Sequence, residues 1–342
     1  MDAASKLLIK HLHDLSGSTL WLVDEQIDDA IIAAAPVREN VFALGNRCDV
    51  IAALQARGIA ATLSDFEIAA TPSFSHAVFR IAKEKALVHR VINVALEHLP
   101  RDGTLTLIGY KGDGTKTYID KAAAYAQGEA KIERESGVLL GTITRAEKLA
   151  ASLDDQYYAR LCQIEFSSDV SAWSKPGIFG WKKIDEGSNF LFEHVDNVWH
   201  DSPQRVLDLG CGYGYLSLLA LRHWPAVQLL AVDNNIPAVA ACQRNIESFG
   251  ARAACMCSDA GINISEKFDA ILCNPPFHQG FSHASGLTEK FLRQIHRLLT
   301  AQGRALLVVN QFIAIETAAA PLFGSIELVA RNKSFKLIAL GR

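Results

Sequence analysis

The chain has no apolar run of the roughly 18–20 residues that a membrane-spanning helix needs, so a transmembrane protein is not expected. Residues 1–15 lack an apolar core followed by a small-residue cleavage site, so no signal peptide is expected either. A paired disulfide framework is also missing, because the seven cysteines are odd in number and widely scattered. Reduced thiols in a cytoplasmic protein follow as the expectation. Cys255 and Cys257 form a C-x-C pair with no second pair at zinc spacing. They read as small buried hydrophobes, and no metal is expected. Finally, there is no basic excess of the kind common in proteins that live on nucleic acid. Lys and Arg number 34 against 37 Asp and Glu, a formal net charge of -3. Any nucleic-acid contact must come from local patches.

What is present is enough apolar sequence for a full core: 49% hydrophobic and 21% charged residues over 342 positions. That length exceeds one ordinary domain, so two are expected. In the second half, residues 204–210, 228–233, 267–273 and 303–310 are short apolar runs of strand character. Residues 215–224, 237–249 and 288–299 show helical spacing, the second framed by Pro237 in its first turn and Gly250 just past its end. Residues 325–329 and 334–340 read as two strands around a turn at 331–333. Strands alternating with helices imply a mostly parallel sheet covered on both faces, and the closing pair implies an antiparallel edge. The first half repeats the rhythm more faintly. Strand-like runs occupy 19–24, 40–45, 76–81 and 104–109, and helix-like runs occupy 49–57 and 86–99. Residues 145–166 read as a further helix. Near 167–180 the texture turns polar and Gly/Pro-containing, which divides the chain into domains 1–166 and 167–342. The order strand, loop, helix, glycine turn, strand occurs in both halves. Internal duplication explains it, although any two α/β domains share such an order.

Asp208, Gly210, Gly212 and Gly214 fall where a strand turns into a helix. The glycines let the backbone turn tightly and let a ligand lie against it. A dinucleotide site has G-x-G-x-x-G spacing and places a pyrophosphate at the helix N-terminus. Here the spacing is G-x-G-x-G with an acid two residues ahead of it. A carboxylate aimed into that crevice repels a pyrophosphate and welcomes the ammonium of a methionine moiety. The next strand ends in Asp233, placed to accept ribose hydroxyls, and Asp259 is placed to accept from an adenine amino group. Three acids at three successive strand ends describe one S-adenosylmethionine site.

Asn274, Pro275, Pro276 and Phe277 directly follow a strand. Two prolines give a turn, and also a rigid extended segment whose carbonyls cannot join a ladder. An exocyclic amine on a base is a poor nucleophile, because its lone pair is delocalised into the ring. The Asn274 side-chain oxygen and the Pro275 carbonyl can each accept one of its N–H bonds. The nitrogen is then positioned with no strong general base required. Phe277 offers a face on which an extruded base can stack. His278 extends the motif as a substrate contact, a proton acceptor or an ordinary loop residue.

These residues resemble the bacterial guanine-N2 ribosomal RNA methyltransferases, a group of class I enzymes with an N-P-P-[FY] motif. Residues 175–188, KPGIFGWKKIDEGS, are similar to the P-G-[VI]-F…[LI]-D-x-G-S stretch just upstream of their core, and residues 335–338 resemble their closing strand. Ile184 stands where Leu is common, and residues 180–183 are more aromatic and basic than the group's pattern. The resemblance implies two tandem Rossmann-like methyltransferase-type domains. The C-terminal one would carry a seven-stranded mostly parallel sheet with an antiparallel edge strand. The N-terminal one would be a degenerate copy that holds no cofactor and recognises substrate or stabilises its partner. Residues 23–26, the counterpart of the glycine loop, have no glycine, and residues 81–85 replace N-P-P-F. The resemblance further implies that S-adenosylmethionine is held by Asp208, Gly210, Cys211, Gly212, Gly214, Asp233, Asn234, Ser258, Asp259 and Asn274. Asn274, Pro275, Pro276 and Phe277 would be catalytic. Phe277, His278, Lys182, Lys183, Asp185, Gly187 and Ser188 would contact the substrate.

The implied substrate is the exocyclic N2 of a guanosine in 16S rRNA, in the 30S ribosomal subunit, and the implied enzyme is a cytoplasmic monomer. Lysines and arginines near 175–183, 331–336 and 80–90 supply candidate phosphate contacts, although such groups are by default a solvated face. Methylation of 23S rRNA, of a protein glutamine N5 or of adenine N6 stays open, the last two being groups that tend to show Tyr at the position of Phe277. So does a non-enzymatic RNA-binding factor with a vestigial cofactor site.

Overall fold

The computed structural model describes residues 1–68, 73–166, 171–275 and 284–342. It divides into two compact units, Met1–Arg160 and Leu161–Arg342.

The first unit runs α1 (Ala3–Asp14), β1 (Thr19–Val23), α2 (Asp29–Ala34), β2 (Val41–Gly45), α3 (Cys48–Ala56), β3 (Ala60–Leu63) and β4 (His76–Arg80). It continues with α4 (Lys85–His98), β5 (Thr104–Tyr110), α5 (Thr115–Ala126), β6 (Ala130–Glu135) and β7 (Val138–Thr144). The sheet order is β3-β2-β1-β4-β5-β7-β6. The first five strands pair in parallel, and β7 pairs antiparallel with both β5 and β6. The central strands are buried on both faces, as a parallel sheet between two helical layers requires.

In the second unit a short antiparallel pair, β8 (Cys162–Glu165) and β9 (Ser171–Ser174), precedes α6 (Glu186–Phe192). Then follow β10 (Arg205–Leu209), α7 (Tyr215–His223), β11 (Gln228–Asp233), α8 (Ile236–Ile246), β12 (Ala253–Cys257) and β13 (Phe268–Cys273). The chain closes with α9 (Ala284–Leu298), β14 (Leu299–Asn310), α10 (Ile315–Ala319), β15 (Ser325–Arg331) and β16 (Phe335–Gly341). The sheet order is β12-β11-β10-β13-β14-β16-β15, which is the first unit's order repeated.

Residues 145–166 are not the helix that their composition suggests. The stretch is irregular and ends in β8. Its backbone groups are claimed by helices already in place. Leu153 N–H donates to Asn93 Oδ1 at 2.9 Å, and its carbonyl accepts from Asn93 Nδ2 at 2.8 Å. The Asp154 carbonyl accepts from His89 Nδ1 at 2.6 Å, and Ala150 N–H donates to the Tyr125 carbonyl at 2.8 Å. Gln156 and Tyr157, at φ 56 and 58, sit in the left-handed region, which no right-handed helix contains. The strand β12 has no counterpart in the apolar runs. It is an edge strand of half-buried residues, and its pattern is correspondingly weak.

Strand registers align the two units residue by residue. In each, the helix after the second strand begins three residues past the strand's last one, Gly45 before Cys48 and Asp233 before Ile236. With that origin, Leu44↔Leu22↔Phe79 corresponds to Val232↔Leu209↔Cys273. Trp21 then stands where the second unit has Asp208, Gly45 where it has Asp233, and Arg80 where it has Asn274. Trp21 is fully buried. Arg80 donates to Asp2 Oδ2 at 2.6 Å and to Ser5 Oγ at 2.7 Å, and Asp2 caps α1 by accepting from Ser5 N–H.

Candidate functional site

The chain leaves β10 in one direction, towards β11, and β13 lies on β10's other side. The crevice at their carboxyl ends is therefore the switch point of the sheet, where ligands of open α/β folds bind. The loop after β10 enters this crevice with Gly210, Gly212 and Gly214 at φ +82, +55 and +89. Side chains at those angles are strained. A Cβ at Gly214 would also stand 2.7 Å from Cys242 Sγ, so glycine lets the loop close on α8. The Val232 carbonyl anchors the loop by accepting from Gly210 and Cys211 N–H at 2.8 and 2.9 Å.

Asp208 differs in setting from a carboxylate aimed into an open crevice. Along β10, Leu207 and Leu209 face one core cluster, so alternation sends Asp208 to the opposite face, beneath α7. It is 0% exposed. Ser217 Oγ donates to its Oδ2 at 2.6 Å, while Oδ1 has no hydrogen-bond partner among the described residues. Burial pushes its carboxyl up to about 7. Asp233 ties two loops together, its Oδ2 accepting from Gly212 N–H and its Oδ1 from Asn235 N–H, both at 2.9 Å. Asn234, between them, offers its carbonyl to the Cys257 thiol at 3.6 Å. Asn235 Nδ2 donates to the Gly177 carbonyl at 2.9 Å, which brings the loop carrying residues 175–180 to this end of the sheet. Ser258 N–H donates to the Asp233 carbonyl at 2.9 Å. Asp259 forms an ion pair with Lys290 of α9.

Among the described residues, four buried polar atoms on these strands and loops have no hydrogen-bond partner: Asp208 Oδ1, Tyr213 Oη, Asn235 Oδ1 and Ser258 Oγ. Buried polar groups are nearly always bonded. Orphans on or directly after three adjacent strands suit a polar ligand carrying an ammonium and hydroxyls.

Asn274 follows β13, one strand over from the glycine loop. Its Nδ2 donates to Asp185 Oδ2 at 2.6 Å and to Ser188 Oγ at 2.9 Å. A carboxylate can only accept, so Asp185 fixes which end of the amide faces it and turns Oδ1 the other way. Asp185 also caps α6, accepting from Ser188 N–H at 2.8 Å. Gly187 makes room for this junction, since a Cβ there would meet Asp185 Oδ2 at 3.1 Å and Asn274 Nδ2 at 3.5 Å. The arrangement is the one around Arg80 in the first unit: an Asp-x-x-Ser helix cap grips the residue at the carboxyl end of the fourth strand in the sheet, Arg80 closing β4 and Asn274 directly following β13. Asp185, Gly187, Ser188 and Asn274 thus come together. Lys182 and Lys183 are exposed, with Lys182 Nζ 4.4 Å from the centre of the Trp181 ring. Pro275 ends the described segment, and Pro276, Phe277 and His278 lie outside the described residues.

Several residues here carry no sequence signal. Ser217 and Asn235 are ordinary polar positions in or beside helices. Tyr215 OH donates to Asn189 Oδ1 at 3.0 Å, linking the start of α7 to α6. Phe312, just past β14, is 83% exposed.

The family described as Methyltransferase small domain matches residues 169–339, and the family described as Methyltransferase small domain N-terminal matches residues 5–157. The chain belongs to the methyltransferase small domain family. Among curated members, the ribosomal RNA small subunit methyltransferase C of Shewanella amazonensis is 28% identical over 267 residues, covering 78% of this chain and 77% of that one. The protein of the same name from Shewanella sp. strain MR-4 is 25% identical over 339 residues, covering 97% of each chain. The solved T. thermophilus 16S rRNA N2 G1207 methyltransferase, in complex with AdoMet and guanosine, superposes with a TM-score of 0.81. It is 22% identical and covers 100% of this chain and 92% of its own. That likeness extends the family's fold over both units.

Proposed function

We propose that this chain transfers a methyl group from S-adenosylmethionine to the exocyclic N2 of a guanosine in 16S rRNA, within the 30S particle. The observation that carries the reading is the grip of Asp185 and Ser188 on Asn274, which presents an amide oxygen beside the glycine loop. Curated relatives named for methylation of small-subunit rRNA support it.

Bound S-adenosylmethionine supplies an electrophilic methyl group on a sulfonium. The loop residues Gly210, Cys211, Gly212 and Gly214 leave room for it. Asp208, whose carboxyl burial lifts to about 7, gives up its proton beside the ammonium and compensates it from beneath the loop, and Asp233 and Asn234 hold its ribose. Ser258 and Asp259 border its base. Asn274 Oδ1 and the Pro275 carbonyl accept the two N–H bonds of the guanine amine and aim its nitrogen; the gain is positioning. Pro276 and Phe277 complete the acceptor motif, Phe277 by stacking on the base, and His278, Lys182 and Lys183 meet neighbouring nucleotides. The first unit, with Trp21, Gly45 and Arg80 at the corresponding positions, is a silent copy that recognises substrate or steadies the active unit. A substrate inside the ribosome places the enzyme in the cytoplasm, where we expect a monomer.

The test supplies tritiated S-adenosylmethionine with 30S particles, 50S particles, naked rRNA or release factors, then digests and identifies the labelled product. Label in N2-methylguanosine from 30S alone is expected. Label in 23S rRNA, in adenosine or in glutamine instead refutes the substrate assignment. Asn274→Ala is expected to abolish turnover while cofactor affinity stays nearly intact; an equal fall in cofactor affinity refutes the role given to Asn274.

A further inference from the structure

Three cysteines far apart in sequence meet in the second unit. Cys211 lies in the glycine loop, Cys242 in α8 and Cys255 in β12. Their sulfur atoms all lie within 4.8 Å of one another. All three are free thiols, Cys211 and Cys242 buried and Cys255 half-buried. Cys257, the C-x-C neighbour of Cys255, takes no part; its thiol faces the Asn234 carbonyl.

We propose that Cys211, Cys242 and Cys255 form a binding site for one thiophilic d10 ion of the Zn²⁺ or Cu⁺ class. Three sulfur ligands select such ions over Mg²⁺ or Ca²⁺, which take oxygen. An ion about 2.3 Å from each sulfur needs sulfurs about 4 Å apart, which the cluster's span accommodates. A cation is favoured here because buried thiolates without one are costly. Each thiol that ligates gives its proton to water, so three thiolates around a divalent ion carry a net charge of about −1. The three ligands join a loop, a helix and a strand, so a bound ion pins the glycine loop to α8 and β12. Gly214 is what allows the loop to approach Cys242 so closely.

The experiment titrates Cd²⁺, a d10 probe whose thiolate complexes absorb in the ultraviolet, into the full-length reduced chain. We expect saturation at one ion per chain. Cys242→Ala and Cys255→Ala should each weaken binding by at least about 10-fold, since losing even an outer-shell partner of a metal site costs 10–100-fold. Cys48→Ala, in the first unit, should leave it unchanged. Native mass spectrometry of the unaltered chain counts retained ions and keeps the test decisive if a variant fails to fold. Hydrogen exchange in residues 210–214 should slow when Cd²⁺ is bound. No retained ion, absorbance unchanged in both cluster variants, or loop exchange unaffected by a bound ion overturns the site.

Discussion

Replacing Asp185 with asparagine leaves a side chain of the same shape at the start of α6 but removes its charge. In the native chain one oxygen, Oδ2, accepts both from Ser188 N–H at 2.8 Å and from Asn274 Nδ2 at 2.6 Å. The capping duty survives, because asparagine caps helices about as well as aspartate, and the stability change should stay within about 0.5 kcal/mol. The orienting duty is lost. An amide can donate or accept, and the Ser188 hydroxyl that also contacts Asn274 can do either, so neither dictates which end of the Asn274 amide faces inward. A hydrogen bond to a charged group contributes about 1.5–3 kcal/mol, and 1.4 kcal/mol is a factor of ten in rate. We therefore expect kcat of Asp185→Asn to fall about 10- to 100-fold, with the melting temperature and the affinity for S-adenosylmethionine nearly unchanged. Steady-state kinetics of label transfer to 30S particles, with calorimetry for the cofactor, measures both quantities. Unchanged kcat, or cofactor affinity falling in step with kcat, refutes the argument that Asp185 acts by fixing the amide.

Burial lifts Asp208 from 3.8 to about 7, so the folded chain keeps a proton that the unfolded chain releases between about pH 4 and 7, and this group's contribution to stability falls as pH rises through that window. Asp208→Asn removes the dependence. Its stability relative to the native chain should improve by on the order of a few kcal/mol between about pH 5 and 8, and a difference flat with pH in thermal melts refutes this. Asp24, raised to about 6 by burial in the first unit, adds the same slope to both proteins and cancels in the difference. Gly214→Ala combines φ +89 with a Cβ placed 2.7 Å from Cys242 Sγ, and should lose about 1–3 kcal/mol in denaturant titration. Adding Cys242→Ala should restore the steric part only, and a double variant no more stable than the single one argues against the clash. Arg80→Ala releases the bonds to Asp2 and Ser5, and should cost the first unit about 1–3 kcal/mol while kcat is retained. Collapse of kcat at unchanged stability contradicts a silent first unit.

The alternation of apolar runs carries the fold class, because the central strands of both sheets are buried on two faces and separated by amphipathic helices. The duplication is faint in residue identity and plain in strand order and register. Residues 145–166 mislead because helix propensity is a preference of well under 1 kcal/mol per residue, and Asn93, His89 and Tyr125 offer their backbone groups specific partners instead. The first unit's counterpart of Asn274 is also shifted one residue, from 81–85 to Arg80, which only pairing registers reveal.

By itself the sequence determined that the second half carries a glycine turn behind an acid, and an Asn-Pro-Pro turn at another strand end. Both are local, because backbone angles and side-chain chemistry are set by a few neighbouring residues. Only the tertiary structure decided that the two turns are adjacent, that Asp185 reaches Asn274 across 89 residues, and that Asp208 faces inward to Ser217. It also decided that three scattered cysteines bring their sulfur atoms within 4.8 Å of one another. Those outcomes depend on strand order and register, which the packing of the whole sheet fixes and no short stretch of sequence encodes.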